Sequence, residues 1–471
     1  MKPTIGIEVH VELKSMAKVF SLSKNNFNDE ANTNINVIDL GYPGVLPRLN
    51  KGVIDDALKA CLALNFNINR LMHFDRKNYF YPDLPKGYQI TQQDTPIGYD
   101  GYVEISNKKI YLERMHIEED TCKSLHTTDT LLNFNRAGVP LLEIVTKPCI
   151  SSGKEAVEYL EKLRETLLYL GISDVKIEEG SMRCDVNVSV SDTDELGTKV
   201  EVKNIGSISN VGVAIDYEIQ RQEELLANGE VIIEQTRRFD DKSKTTILMR
   251  YKETGNDYRY FPEPDIPYVY IDDEWIEQIK REMPVLTDEL KDKYTKLGIN
   301  NNNIKTIIAN KEICNFFETV IDDVNPNIAA NLLTGDILSY LNKHFIKLEE
   351  SKLTKDNFIK LVELLDKKTI SSKQGKEVIN ILLDTGKDVL EIVKENKMEQ
   401  ISDNSLVLDI VTKVIDANPD SVKDFKEGKD RAVKYLMGQI MKESKGQVNP
   451  GLANQVLVEG LKKKWKQFHF F

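Results

Sequence analysis

The sequence predicts an α+β chain: a catalytic-sized body of mixed or antiparallel sheet, then an all-helical region, then a small helical tail. Three observations carry that expectation. Up to about residue 280, β-type runs alternate with amphipathic helical ones, and nearly all the Tyr- and Pro-rich stretches lie there. After Pro284 the apolar periodicity is helical. A length of 471 residues exceeds what one core supports, so two to four domains are expected, with boundaries placed at 1–285, 286–402 and 403–471.

Residues 5–13 read Ile-Gly-Ile-Glu-Val-His-Val-Glu-Leu. Strict alternation makes this a strand with Ile5, Ile7, Val9, Val11 and Leu13 on one face. Glu8, His10 and Glu12 line the other, roughly 6.5–7 Å apart along the backbone. That row is either an ordinary solvated face or the start of a divalent-metal site. Residues 102–105 and 110–119 read as a hairpin around Asn107-Lys108, and residues 139–145 as a compact apolar strand. Residues 154–170 form an amphipathic helix with Leu160, Leu163, Leu167 and Leu170 in one stripe, a serine cap at 151 or 152, and Gly171 as its stop. A second helix over 211–227 ends at Asn228-Gly229, and Pro262, Pro264 and Pro267 mark the exit from the body. Beyond it, Leu286, Leu290, Tyr294 and Leu297 keep helical spacing until Gly298. Residues 300–303, all Asn, read as a polar turn, and Pro450 sits at the first turn of a final helix.

Composition is that of an ordinary globular protein, 41% apolar and 29% charged, which excludes a disordered or fibrous chain. No run approaches the roughly 18–20 apolar residues of a membrane helix. Met-Lys-Pro-Thr leads directly into the first strand, so no leader peptide is expected and the cytoplasm is the expected compartment. Five scattered cysteines without a Cys-x-x-Cys pair read as reduced thiols. The net charge of −12 is unevenly spread. From Lys423 onward eleven Lys/Arg face five Asp/Glu, a net +6, leaving −18 on the rest. That is a basic appendage suited to nucleic acid, or simply a solvated helix end at Lys462-Lys463-Lys464.

Acid gathers in three further places: His116-Ile117-Glu118-Glu119-Asp120, Glu143 within an apolar strand, and Glu178-Glu179 with Asp185. Glu143 is the most informative, because a lone carboxylate in an apolar run costs several kcal/mol unless paired or metal-bound. A salt bridge to Arg136 and a hard-cation site shared with His10 and Glu119 are the two explanations. Residues 74–89 interleave aromatic and basic side chains, a pattern that stacks an unpaired base or packs as a rigid loop. Arginines at 237, 238, 250 and 259 are placed either for phosphate or for neighbouring carboxylates. Gly-rich phosphate loops and the Gly-x-Ser-x-Gly elbow are absent, and Ser151-Ser152-Gly153 opens a helix, where capping accounts for it.

Residues 37–47, 75–89, 116–120, 135–143 and 257–265, in that order, together with 445–450 near the end, resemble the B-subunit family of bacterial aspartyl/glutamyl-tRNA amidotransferases. The resemblance covers essentially the whole chain. It implies a cradle-shaped catalytic body, a helical domain and a tail that reaches the body of a tRNA. It also implies a heterotrimer with an amidase partner (the A component) and a small partner (the C component). The implied reaction is ATP-dependent phosphorylation of the side-chain carboxylate of Glu-tRNA(Gln) or Asp-tRNA(Asn), then attack by ammonia from the amidase. By the same resemblance His10, Glu119 and Glu143 are carried over as catalytic Mg²⁺ (or Mn²⁺) ligands, with Glu8 and Glu118 alongside. Candidate cations for ATP are Arg183, Lys203, Arg237 and Arg259; Tyr79, Tyr81, Lys86 and Tyr88 are candidates for the tRNA acceptor end. Lys442, Lys445, Lys462 and Lys463 are candidates for the tRNA body. Some relatives bind zinc through two cysteine pairs; Ser21, Ser23, Asn36 and Asp39 stand there in this chain, so no zinc is expected. No amidase Ser/Lys set is visible and no membrane association is expected. The competing readings are a non-catalytic tRNA-binding scaffold and a metal-dependent enzyme acting on a small molecule. No role is assigned to residues 465–471.

Overall fold

Nine strands hydrogen-bond into one sheet. In chain order they are β1 (Lys2–Glu12), β2 (Asn67–Ile68), β3 (Gly98–Glu104), β4 (Lys109–Glu119), β5 (Pro140–Thr146), β6 (Met182–Ser191), β7 (Val200–Lys203), β8 (Gln235–Asp240) and β9 (Thr245–Tyr251). The structure, a computed structural model, describes residues 1–471 except 27, 127, 252–257, 397, 399–403, 427–428, 430, 445–447 and 468–471. Side chains at 126, 404, 426 and 463–467 are likewise not described.

Spatial order in the sheet is β9-β8-β7-β6-β1-β5-β4-β3-β2. The expected first strand is therefore central, hydrogen-bonded on both edges. Every neighbouring pair is antiparallel except β7–β8. That parallel pair is joined through the helix α3 (Ile208–Ala227), as a parallel connection requires a crossover. Ile5, Ile7, Val9 and Val11 are fully buried in the main core, with Leu142 and Ile144 of β5 and Met115 and Ile117 of β4. Helices α1 (Lys51–Ala63), α2 (Gly153–Leu170) and α3 contribute Leu58, Leu160, Leu163, Leu167 and Ile215 to the same core. Ser152 caps α2 by accepting from the Glu155 amide, and Gly171 closes it in the left-handed region at φ 75°. A smaller sheet sets the strand Asp75–Asn78 between Tyr88–Thr91 and Phe261–Pro262.

The chain divides into two compact units, Met1–Thr287 and Asp288–Phe471. The second is helical among its described residues. Its one departure from the sequence reading is residues 300–303. Asn300 accepts from the Asn303 amide and caps a helix, Asn301–Ala309, so the polar run opens a helix instead of turning. Asparagine's short amide serves a helix N-terminus as well as a turn, and the buried Ile304, Ile307 and Ile308 behind it decide the matter. The final helix, Pro450–Gln467, begins at Pro450. Val407, Val411, Leu436, Ile440, Leu457 and Leu461 form a separate core within the tail. The expected boundary at 402/403 falls at residues 399–403, outside the described residues. Among the described residues no helix is long and apolar enough to cross a membrane. The architecture is the α+β one expected, a mixed-sheet body followed by helices.

Candidate active site

Register across the centre of the sheet assembles the site. His10 stands opposite Glu143 on β5 and Arg183 on β6, and Glu143 stands opposite His116 on β4. Cross-strand partners share a face, so Arg183, His10, Glu143 and His116 form one row over four strands. Glu118, two residues beyond His116, adds a carboxylate to the same face. Nε2 of His10 lies 3.3 Å from Glu143 and 3.6 Å from Glu118. Nε2 of His116 lies 3.0 Å from Glu143 and 3.7 Å from Glu118. His10, Glu118 and Glu143 each offer a ligand atom within 4.8 Å of the others. Two imidazoles thus clasp two carboxylates.

Electrostatics follow from burial. Burial opposes charge on Glu143, but His116 and His10 outweigh it and hold the carboxyl well below the usual carboxylate range. Burial likewise disfavours the His116 cation, yet Glu143 and Glu118 carry it up to about 9. His10 is raised too, against burial, by its hydrogen bond to Glu143 and by Glu118. Glu12, at the end of the β1 row, is pushed up to about 7 by burial and Asp120, against Arg183 and Arg136. The salt bridge from Glu143 to Arg136 does not form: Arg136 lies 3.6 Å from Asp120 and donates to the carbonyls of Thr121 and Cys122.

The remaining expected residues divide. Glu119 leaves the row. Alternation along β4 sends it to the face opposite Glu118, where it accepts from Lys86 Nζ at 2.6 and 2.7 Å and from the Ile90 amide at 3.0 Å. The half-buried Lys86 is therefore engaged in an ion pair with a buried carboxylate. Glu8 stays on the face but is bound by Asn187 at 3.0 Å, and burial followed by Glu143 raises its pKa. Arg183, at the end of the row, pairs with Asp120 at 2.8 Å, and Lys203, bordering the row, pairs with Asp185 at 2.6 Å and Glu201 at 3.2 Å. Arg237 does not border it. Its guanidinium donates three hydrogen bonds to Thr246 and Gln235 and lies 3.6 Å from Glu218 of α3, which holds it within the sheet away from the row. Arg259 is exposed at φ 46°. Tyr79 donates to Gln89 at 3.4 Å, its ring 6.3 Å from Tyr81 and 6.2 Å from Tyr258; Tyr88 lies under Arg76 at 4.3 Å. Tyr81 and Phe80 are exposed. In the tail Lys442 and Lys462 are exposed, whereas Lys445 and the Lys463 side chain lie outside the described residues. Residues 465–471 also fall there, wholly or in their side chains.

Two residues were not singled out from the sequence. His116 lay in a named motif, and strand parity with Glu118 was the signal. Lys77 is half-buried on the strand Asp75–Asn78, and its ammonium makes no hydrogen bond or ion pair among the described residues. Its ammonium lies 5.0 Å from the Tyr258 ring centroid, and its pKa is raised by Glu118 and Glu143 in spite of burial. Ser21, Ser23, Asn36 and Asp39 do meet. Asp39 accepts from both serine hydroxyls, at 2.7 and 2.5 Å, and from the Asn36 amide at 3.0 Å. The buried Lys18 ammonium sits 3.5 Å from the same carboxylate. The five cysteines are free thiols.

This site occurs in a chain with extensive similarity to known proteins. A family model described as the GatB/GatE catalytic domain matches residues 3–277, and one described as the GatB domain matches residues 315–461. A protein of Geobacillus thermodenitrificans, named as the B subunit of aspartyl/glutamyl-tRNA(Asn/Gln) amidotransferase, is 48% identical over 470 residues, covering 98% of this chain and 99% of its own. Proteins of the same name from Bacillus velezensis and Oenococcus oeni are 49% and 47% identical, each with 98% and 99% covered. With a continuous match through both the sheet body and the helical region, the chain belongs to the family of aspartyl/glutamyl-tRNA(Asn/Gln) amidotransferase B subunits.

Proposed function

We propose that this chain is the carboxylate-activating member of a heterotrimeric, glutamine-dependent tRNA amidotransferase, a carbon–nitrogen ligase of the cytoplasm. It uses ATP to phosphorylate the side-chain carboxylate of Glu-tRNA(Gln) or Asp-tRNA(Asn). Ammonia released by the amidase partner, held in place with the small third partner, then displaces phosphate to give Gln-tRNA(Gln) or Asn-tRNA(Asn). Activation is required because a free carboxylate would have to expel oxide, whereas an acyl phosphate expels phosphate.

The observation that carries this reading is the row of Arg183, His10, Glu143 and His116 with Glu118 beside it. Two carboxylates and an imidazole within 4.8 Å suit Mg²⁺ or Mn²⁺. Such an ion, when bound, supplies charge neutralisation to phosphoryl oxygens. His10, Glu118 and Glu143 would hold it, with His116 keeping the Glu143 carboxylate oriented from the far side. Lys77 and Arg183 flank the cluster and offset the negative charge of nucleotide and tRNA. Lys203 borders the same face, one strand beyond. Tyr79, Tyr81 and Tyr258 form the aromatic edge against which the terminal adenosine of the tRNA would stack. In this reading the chain has three parts, 1–285, 286–402 and 403–471, and the last of them, with Lys442, Lys445, Lys462 and Lys463, takes the tRNA body.

The test is an assay of the co-expressed trimer with both misacylated tRNAs, ATP, Mg²⁺ and glutamine. Amidation in the trimer is expected, together with loss of ATP-dependent phosphorylation but retained tRNA binding in His10→Ala. Full activity in His10→Ala would favour the scaffold reading. Amidation by the isolated chain with glutamine would overturn the assignment of ammonia release to a partner.

A further inference from the structure

A second cluster of metal-type donors lies apart from that row, on the segment leading into the aromatic loop. His73, Asp75 and Asp94 each offer one ligand atom, and the three atoms lie within 4.8 Å of one another. Local structure builds this cluster. Asp75 begins the strand Asp75–Asn78, and the chain returns beside it after the paired strand Tyr88–Thr91. The backbone amides of Gln93 and Asp94 donate to Asp75 Oδ2 at 2.7 and 3.2 Å, which fixes the buried carboxylate and leaves Oδ1 facing His73.

The imidazole is held as a ligand would be held. Thr95 Oγ1 lies 2.9 Å from Nδ1, and the ring packs against Tyr268 with centroids 5.1 Å apart. That leaves Nε2, which is closed off from solvent and makes no hydrogen bond among the described residues. It stands 3.2 Å from Asp75 Oδ1 without hydrogen-bond geometry. Two donors about 2.0–2.1 Å from one tetrahedral ion are roughly 3.3 Å apart, so this spacing is that of a shared ligand pair. Asp94 is exposed, and its rotation closes a third position. A metal-binding histidine is oriented by an acceptor on its other ring nitrogen, and the Thr95 hydroxyl oxygen stands in that position here.

We infer that His73, Asp75 and Asp94 form a second divalent-cation site of one nitrogen and two oxygen donors, suited to a first-row transition ion such as Mn²⁺ or Zn²⁺. Binding expels any proton on Nε2 and offsets two neighbouring carboxylates with one dication. The ion ties the corner at residues 92–95 to the strand that carries Lys77, and so stiffens the loop behind the aromatic edge. The site does not depend on the function proposed above, because its donors are separate from His10, Glu118 and Glu143.

The full chain in its co-expressed complex, stripped with EDTA and reloaded with Co²⁺ or Mn²⁺, tests this in a His10→Ala/Glu143→Gln background that disables the first cluster. One equivalent of metal by elemental analysis, and visible Co²⁺ bands, are expected in that background. Asp94→Asn is expected to weaken binding at least tenfold, and His73→Gln to abolish the Co²⁺ bands. Asp94 is exposed, so its variant reports even where His73→Gln does not fold. Metal should also raise Tm in the background protein and not in the Asp94→Asn variant. No retained metal in the background protein, or equal binding with and without Asp94→Asn, would leave an ordinary His73–Asp75 pair and overturn the inference.

Discussion

The carboxylate of Glu143 lies 3.0 Å from Nε2 of His116, its direct partner across the β5–β4 ladder. Because His10 approaches the same carboxylate from β1 at 3.3 Å, Glu143 is clamped between two imidazoles. A carboxylate that would be costly alone in an apolar strand is stabilised by charge on both sides.

Replacing His116 with Gln removes the clamp on one side while preserving bulk and polarity. Mg²⁺ or Mn²⁺ affinity is expected to fall about 10- to 100-fold, as for other groups that orient a metal ligand. Isothermal titration of the variant against the parent measures it. Unchanged affinity would show that His116 does not orient Glu143.

Protonation gives a pH signature. His116 is raised from about 6.5 unfolded to about 9 folded, so the native state binds its proton more tightly. Its contribution to metal-free stability is complete below pH ~6.5 and is lost as pH rises through about 9. The depressed Glu143 acts oppositely, its contribution being lost as pH falls below the usual carboxylate range. Urea midpoints of EDTA-treated protein should therefore decline between pH 6.5 and 9, and less so in His116→Gln. Over the same range Mg²⁺ affinity should rise, because His10 must be neutral to bind metal.

Lys86, half-buried, pairs with the buried Glu119, with the ammonium 2.6 Å from the carboxylate. Lys86→Met leaves Glu119 charged and uncompensated, at an expected cost of about 3–5 kcal/mol. The double variant Lys86→Met/Glu119→Gln should recover much of that loss, and chemical denaturation of the four proteins closes the cycle. A double variant no more stable than Lys86→Met would show that the charge of Glu119 is not the source of the penalty.

Lys77 makes no close ion pair among the described residues, although Glu118 and Glu143 favour its charge, so Lys77→Met should cost no more than about 1 kcal/mol of stability, as read from urea unfolding. ATP-dependent phosphorylation should fall about 10²-fold, with tRNA binding retained. A stable variant with full phosphorylation would remove Lys77 from the charge-offsetting set.

Deleting residues 403–471 should weaken tRNA binding and flatten its dependence on salt. Each phosphate no longer neutralised lowers the slope of log K against log salt by about one unit. Binding that weakens with an unchanged slope would mean the tail contributes shape and not charge.

Much of the body was legible along the chain. The alternation of residues 5–13, the capped helix Gly153–Leu170 and the hairpin at Asn107-Lys108 are local signals, and each appears where expected. Local chemistry failed at residues 300–303, where asparagine serves a turn and a helix cap equally well. Parity along residues 109–119 already placed His116 and Glu118 together and Glu119 opposite. Glu119 accordingly meets Lys86 and not His10.

From its sequence alone the chain declared an α+β body followed by helices, the polar face of its first strand, and the family to which it belongs. Side-chain periodicity and helix caps are set by neighbours within a few residues, so they can be read directly. Tertiary structure decided which carboxylates meet His10, that Arg136 and Arg237 serve other partners, and that His73 finds Asp94. Those outcomes depend on strand order and on register between segments far apart in the chain. A shift of one residue in any of those pairings would turn every donor to the other face of the sheet.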